Sequence, residues 1–570
     1  MSDDRNIPSY AARRIVVLAA VTLVAVLLLW RDVYLQVYRK DFLQYQGDER
    51  YLRVVSVPAH RGMITDRNGE PLAISTPVSS VWANPQELAL HRQFLPRLAK
   101  VLDLDVDSLE RLMASRGDRE FVYLKRQVNP DVARRVMSIG APGVALRREY
   151  RRYYPTGEVT AHVIGFTNVD DQGQEGIELA YNKWLTGTPG SKRVIKDRLG
   201  RIVEDVESIR TAQPGKNLAL SIDRRLQYLA YRELKAAVLE HGARSGSIVI
   251  LDVRTGEVLA MVNQPSFNPN NRTQLKSRLY RNRAVTDVFE PGSTVKPFVI
   301  AAALETGRYT PRTPIDTRPG TLRIGHATIR DTEDHGLIDV SHVIIESSNI
   351  GAAKISLSMN PQRLWKMYRS VGFGSVTGSG FPGEAPGLLT YYGRWHEIER
   401  ATLAFGYGVS VTPLQLAQAY TILASGGVRR PISFVRVDHA PAGQRILPRR
   451  IVNQIMPMLE HVVSKEGTAQ RAAVPGYQVA GKTGTVHKAE VGGYAPNRYL
   501  SVFAGMAPAS DPRLVMVVMI NQPSDGEYYG GQVAAPVFSR VMAGALRILD
   551  IAPDDLPLTQ ASAAPLGSHS

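Results

Sequence analysis

Residues 15–30 contain a single polar side chain, Thr22, and are bracketed by Arg13-Arg14 and Arg31-Asp32. A helix of that composition belongs in a bilayer, so it divides the chain into a short N-terminal piece and one long remainder that must fold on one side. The run is slightly shorter than the roughly 20 residues that cross a hydrocarbon core, but flanking arginines snorkel and Trp30 suits an interface. No A-x-A-like cleavage site follows and the helical pattern continues through Tyr38, which favours an uncleaved single anchor over a cleaved signal peptide. Arg5, Arg13 and Arg14 place the short N-terminus inside. The expectation is a cytoplasmic tail over 1–14 and a transmembrane anchor with the start of a stalk over 15–38. The remainder then lies outside the cytoplasm, where ATP-dependent chemistry is not expected.

At 570 residues, 44% apolar and 21% charged, the chain exceeds one ordinary domain, and at least two folded units are expected. The formal net charge of +16 suits an anionic surface such as phospholipid head groups or an acidic wall polymer, and serves solubility equally well. Nucleic acid is a weaker choice, because no basic stretch is interleaved with aromatics and no finger, homeodomain or RNA-recognition signature is present. There is no cysteine, which excludes disulfides, thiol catalysis and Cys-ligated zinc. The twelve histidines include no H-E-x-x-H, and His396-Glu397 lacks the second His, so neither a metal nor a cofactor is expected.

Three polar clusters carry the chemistry. In Phe289-Glu290-Pro291-Gly292-Ser293-Thr294-Val295-Lys296-Pro297-Phe298 a loop enters an apolar segment ending at Gly307. The pattern predicts a helix starting at Ser293, with Pro297 in its first turn, where a missing N–H costs least. Ser293 and Lys296 then share a face. A lysine kept dry near other cations can take the proton that a serine must lose to become a nucleophile. For this pair alone the alternative is an N-cap serine and a solvated lysine. The second cluster, Glu346-Ser347-Ser348-Asn349-Ile350-Gly351, breaks two apolar segments and puts Ser347 and Asn349 on a helix–helix turn. The third, Val479-Ala480-Gly481-Lys482-Thr483-Gly484-Thr485, has β-type flanks, with Lys and Thr on alternating sides.

Ordered S-x-x-K, S-x-N and K-T-G, the set resembles the penicillin-binding protein and serine β-lactamase superfamily. Pro58 to Ala73, with the turn Asp66-Arg67-Asn68-Gly69, and the later blocks Arg151 to Gly157, His162 to Gly165, Gly173 to Glu178 and Asp197 to Arg201 resemble the non-catalytic pedestal of class B members. Glu175, Glu178, Asp197 and Arg201 are read as fixing turns and domain interfaces rather than as an acid/base site. No Glu-Asp-x-x-Phe glycosyltransferase motif occurs in the first 215 residues, so glycan polymerisation falls to a partner. A class A β-lactamase would carry Glu-x-x-Leu-Asn between S-x-N and K-T-G; Glu384 stands in a different pattern, Phe381-Pro382-Gly383-Glu384. The segment Asp170 to Gly176 is similar to division-type enzymes of the penicillin-binding protein 3 kind, with an elongation-type or secondary paralogue as the alternative. A D,D-carboxypeptidase, a β-lactamase or β-lactam sensor and a non-enzymatic scaffold are weaker readings.

The resemblance implies an α+β chain with an elongated mixed pedestal domain over 39–215 and a transpeptidase domain over 216–555 with helices around a central antiparallel sheet, between the anchor helix read from its apolar run and a tail over 556–570 whose Ala, Pro and Ser content predicts disorder. Composition and periodicity support strands at 218–222, 247–252, 258–262, 499–505 and 514–520, a helix capped by Asp223 and a terminal helix over 533–549. The implied activity is serine-type D-Ala-D-Ala transpeptidation of peptidoglycan stem peptides, inhibited covalently by β-lactams, at the inner membrane with the catalytic domain in the periplasm. Ser293 would be the nucleophile, Lys296 its base, Ser347 the relay to the leaving group, and Asn349 a hold on Lys296 and the stem amide. Lys482, Thr483, Gly484 and Thr485 would align the substrate and its carboxylate, and the N–H groups of Ser293 and Thr485 would form the oxyanion hole. His487 stands where similar enzymes often carry a longer basic residue, and is expected at the mouth of the site. The implied partners are a membrane glycosyltransferase, other division proteins and the membrane itself.

Overall fold

The computed structural model describes residues 10–42, 52–196, 202–271, 273, 276–490 and 493–555. Asp197, Arg201, Arg5 and the expected tail over 556–570 lie outside the described residues. The apolar segment is helical from Ala11 to Val33 and continues as a π-helical turn, Tyr34–Tyr38, so the helix starts earlier than the apolar run. Together they make one span of 28 residues with mean hydropathy 2.3 over its most apolar window, none of that window buried.

Packing divides the chain into two units. The first takes residues 1–60, 77–150 and 187–214. Its core is built from short amphipathic helices, such as Leu95–Leu102 and Val106–Ser115, whose Leu98, Leu102 and Leu109 are buried with Val81 and Val136. It also holds an antiparallel sheet of Leu52–Val57, Gly190–Lys196 and Ile202–Arg210.

The second unit takes residues 61–76, 151–186 and 215–570. Segments expected in the pedestal therefore pack with the catalytic part. They are tied to one another by a buried ion cluster in which Glu178, fully buried, accepts from Arg61 Nε and Arg152 Nε, each at 2.6 Å. Arg61 also donates to Asn182 Oδ1 and Thr186 Oγ1, both at 2.8 Å. Glu178 is thus structural, as its pattern suggested.

The core of this unit is a five-stranded antiparallel sheet. Its strands are β1 (Ser245–Asp252), β2 (Val258–Gln264), β3 (Ala480–Glu490), β4 (Gly493–Ala507) and β5 (Leu514–Asn521), in the order β2-β1-β5-β4-β3. Seven consecutive positions are buried in β1 and in β5, so both faces are covered and these strands read as continuous apolar runs rather than alternating ones. Helices α1 (Arg224–Glu240, N-capped by Asp223) and α6 (Gly530–Ile548) pack on the sheet and on each other. Between them in sequence come α2 (Lys296–Leu304), α3 (Val340–Ile345), α4 (Asn349–Ser358) and α5 (Pro413–Ala424). Every residue of α2 and of α5 is buried, the mark of core helices without a solvent face.

Two expectations shift. The strand at 218–222 is only Leu218–Ala219, because its partners are the two residues Ile64–Thr65 in parallel, after which Leu220 bridges to Val435. The helix at Ser293 opens as a 3₁₀ turn, Gly292–Val295, and becomes α only at Lys296.

Substituting Glu178→Ala leaves two arginines buried without their anion, and is expected to cost about 3–5 kcal/mol. Chemical denaturation of the detergent-solubilised chain measures the loss; an unchanged midpoint would contradict it.

Candidate active site

The backbone around Ser293 is clamped from two sides. Gly292 has φ +58°, and a Cβ there would sit 2.5 Å from Val486 of β3; at Gly484 a Cβ would come within 2.9 Å of Pro291 O. Glycine at both positions lets the 3₁₀ turn press directly on the strand. From the core, Tyr420 of α5 donates to Thr294 O at 2.8 Å, and Thr294 Oγ1 donates to Pro291 O at 2.7 Å. Burial pushes the Tyr420 phenol up and keeps it a neutral donor.

This framework brings three of the predicted clusters together. Lys296 and Lys482 are both fully buried. The Lys296 amine meets the Ser347 carbonyl, Asn349 Oδ1 at 3.0 Å and Ser347 Oγ at 3.3 Å. Lys482 Nζ lies 2.9 Å from Ser347 Oγ and 3.3 Å from Thr483 Oγ1. One hydroxyl therefore sits between two amines.

Desolvation holds Lys296 well below the ordinary lysine range; the nearby Lys482 charge pushes the same way and Asp331 opposes both. Burial brings Lys482 down to about 7. Two adjacent cations in a dry site with one carboxylate nearby are costly, so the proton is most readily lost where repulsion adds to desolvation, at Lys296.

Ser293 is half-buried, and its hydroxyl has no hydrogen-bond partner among the described residues. The amine of Lys296 is directed instead to Ser347 and Asn349. Thr483 Oγ1 is 3.2 Å from Thr468 Oγ1, and Thr485 Oγ1 accepts from Gly530 N at 2.9 Å, at the start of α6. Thr485 and His487 are half-buried and flank the buried Val486, which puts them on one face of β3. His487 Nδ1 lies 3.3 Å from Ala495 O, and its ring packs 4.6 Å from Tyr499.

The chain carries further contributors that its motifs did not reveal. Ser347 has φ +62°, a left-handed conformation uncommon for a non-glycine residue. Asp331 stabilises the adjoining turn: it accepts from Ser348 Oγ at 2.6 Å, Asn349 N at 2.5 Å and Ile350 N at 3.1 Å. Asp331 lies in no motif and joins the site only through folding. Glu290, quoted above merely as loop, accepts from Gly408 N at 2.8 Å and Tyr494 OH at 3.0 Å, and burial raises its pKa. Glu384 is committed to its own loop, accepting from Thr377 N at 2.7 Å and Ser379 Oγ at 3.2 Å. Glu333, His335 and Glu346 bring candidate ligand atoms within 4.8 Å of one another, whereas no metal position was expected from sequence.

Comparison with known proteins gives two family matches: the penicillin binding protein transpeptidase domain over residues 246–543 and the penicillin-binding protein dimerisation domain over 56–220. The chain is 47% identical over 535 residues to peptidoglycan D,D-transpeptidase FtsI of Escherichia coli (strain K12), covering 93% of this chain and 90% of that one. It is 44% identical over 544 residues to the probable peptidoglycan D,D-transpeptidase PbpC of Pseudomonas aeruginosa, covering 95% and 96%. Among solved structures, the apo transpeptidase (TP) domain of Burkholderia pseudomallei penicillin-binding protein 3 aligns with TM-score 0.55 at 42% identity, covering 59% of this chain and 98% of that one. A peptidoglycan synthetase from Bifidobacterium adolescentis aligns with TM-score 0.70 at 24% identity, over 89% and 98%, which speaks for the fold alone.

Substituting Asp331→Asn removes the carboxylate that opposes the downward shift of Lys296. Any acylation that needs Lys296 neutral gains rate as pH rises through that amine's pKa, so its acid limb is expected to move to lower pH. The plateau rate should fall about tenfold or more with the lost charge-assisted bonds. Rates of covalent modification of Ser293 across pH test both effects, and an unmoved limb would remove Asp331 from the electrostatics of Lys296.

Proposed function

The chain belongs to the penicillin-binding protein transpeptidases, and from that membership we propose how its own residues carry out peptidoglycan D,D-transpeptidation. Ser293 Oγ attacks the penultimate D-Ala carbonyl of a stem peptide while its proton passes to Lys296. The oxyanion is received by the N–H groups of Ser293 and Thr485, donors commonly worth a few kcal/mol each. Collapse expels D-Ala, whose nitrogen takes the proton from Lys296 through Ser347 Oγ. The amine of a second stem then attacks the acyl-enzyme and restores the Ser293 hydroxyl, leaving a cross-link.

A single observation carries this reading: Lys296 is fully buried, held below the ordinary lysine range, and within 3.3 Å of the hydroxyl that also lies 2.9 Å from Lys482. That favours an uncharged base linked to a proton relay. Lys482, Thr483 and Thr485 bind the terminal carboxylate, the strand over Gly484 pairs with the substrate backbone, Asn349 holds Lys296 and the stem amide, and His487 meets ligand carboxylates at the mouth. β-Lactams enter by the same acylation and remain attached.

We further assign the apolar helix to a single-pass inner-membrane anchor, with the N-terminus inside and the catalytic part in the periplasm. The septum is the proposed place of action, on the likeness to the FtsI relatives, with a membrane glycosyltransferase and other division proteins as partners. The sequence limits of 39–215 for the pedestal and 216–555 for the transpeptidase are kept as functional modules, although packing joins 61–76 and 151–186 to the latter.

Ser293→Ala is expected to abolish the covalent adduct with a fluorescent penicillin while the thermal midpoint stays unchanged; full labelling would move the nucleophile elsewhere. Lys296→Arg keeps a charge that cannot be given up near neutral pH, and acylation should fall by orders of magnitude. A rate within about threefold of wild type would remove Lys296 as the base.

A further inference from the structure

Beyond the catalytic centre, the second unit contains a cavity of about 550 Å³ at one end of the sheet. It is bordered by Asp287 to Glu290, just before the 3₁₀ turn of Ser293, and by His487 to Ala489, at the far end of β3. Two of the three segments that build the catalytic centre therefore run on into its wall.

The lining is strongly cationic. Arg244, Arg278, Arg281, Arg283 and Lys488 face two carboxylates, Asp287 and Glu290. Asp287 accepts from Arg281 Nη2 at 2.8 Å, and Glu290 Oε1 accepts from Gly408 N and Tyr494 OH, while Glu290 Oε2 is buried without a partner. Arg283 donates to Arg278 O at 2.7 Å through Nη2, while its Nη1 is buried without a partner. The side chains of Arg244 and Arg278 have no partner among the described residues, and both are exposed. Burial lowers the Arg283 pKa, and the charges of Arg281 and Arg244 add to the effect, with Asp287 alone opposing. Cations held together at an energetic cost, with donors unsatisfied, are what an anion-binding cavity presents before its ligand arrives.

We propose that this cavity is a subsite for a carboxylate-bearing residue of the stem peptide, upstream of the terminal D-Ala-D-Ala pair. The inference rests on the transpeptidase reading. Thr485 and Lys488 are three residues apart on β3, whose register with β4 shifts between His487 and Ala489, and three extended residues cover roughly 10 Å. A peptide added to β3 from the acylation point covers the same distance in about three residues, which brings an upstream side chain to the cavity. The guanidinium groups recognise carboxylates with directed paired donors, so the subsite reads charge on the peptide and does not touch the reacting carbonyl.

The test uses the full chain in detergent and two synthetic peptides ending in D-Ala-D-Ala, one with free carboxylates upstream and one with those groups as carboxamides. Wild type is expected to release D-Ala from the acidic peptide with a kcat/KM about tenfold higher, chiefly through KM, the equivalent of about 1.4 kcal/mol. The Arg244→Gln/Arg278→Gln double variant should use both peptides within about twofold of each other while labelling normally with fluorescent penicillin. Equal use by wild type, a comparison that needs no variant, overturns the subsite, and so does a preference that survives intact in the double variant. Failure of wild type both to label and to release D-Ala would instead refute the transpeptidase reading beneath it.

Discussion

Two buried amines converge on one hydroxyl, and the rest of the second unit can be understood as what it takes to hold them there. Lys296 and Lys482 are each fully buried and within 3.3 Å of Ser347 Oγ. In water each would keep its proton; in a dry site beside another amine, the charged form of at least one is disfavoured. An arrangement of this kind relaxes if its walls can move, because a small shift admits water and restores ordinary lysines. The walls here are stiff. Lys296 begins a helix with no exposed residue, backed by another with none, and Lys482 projects from the edge strand of a sheet covered on both faces.

The third wall is the turn at Ser347, and it is held differently. Its positive φ is unfavourable for a serine, and its polar residues Ser347, Ser348 and Asn349 are not fixed by apolar packing alone, although Ile344 and Ile350 on either side are buried in the core. Hydrogen bonds do the rest: Asp331 takes three from Ser348, Asn349 and Ile350, and Ser348 Oγ caps α4 by accepting from Gly351 N at 2.8 Å. The same carboxylate acts on Lys296 through its charge. Positioning and electrostatic tuning thus come from one residue, and the cluster needs no other anion close by.

What could be read in the chain beforehand was whatever is encoded locally. The break at Ser347, the Asp223 cap and the hairpin of β1 and β2 depend on neighbours within a few residues and appear where their patterns put them, whereas the helix expected from Ser293 opens as a 3₁₀ turn and becomes α only at Lys296. Asp331, Tyr420 and Glu290 were not legible, because their partners lie 17 to 19, 126 and 118 residues away. The same reason shortens the strand at Leu218–Ala219, whose length is set by a two-residue partner in a distant part of the chain. It also explains the allegiance of residues 61–76 and 151–186: the charges that tie them together were visible as charges, while the pairing of Arg61 and Arg152 with Glu178 exists only in the fold.

Strand β3 shows how several demands can be met by one segment. A strand turns alternate residues to opposite faces, and here Gly484 and Val486 are buried while Thr485 and His487 remain half-buried. The pairing of Gly481 with Gly505, Lys482 with Ala504 and Thr485 with Ser501 sets which residues take which face. A slip of one residue would exchange the faces throughout, turning the threonines inward and Lys482 out. Small residues opposite the motif secure the register: a Cβ at Gly481 would meet the Phe503 ring at 2.5 Å and Ala504 O at 2.9 Å, so a bulkier residue at that position has no room. The close approach that lets the strand carry Lys482 into the core is therefore also what fixes its alternation, and with it the direction in which His487 and Lys488 continue towards the basic cavity.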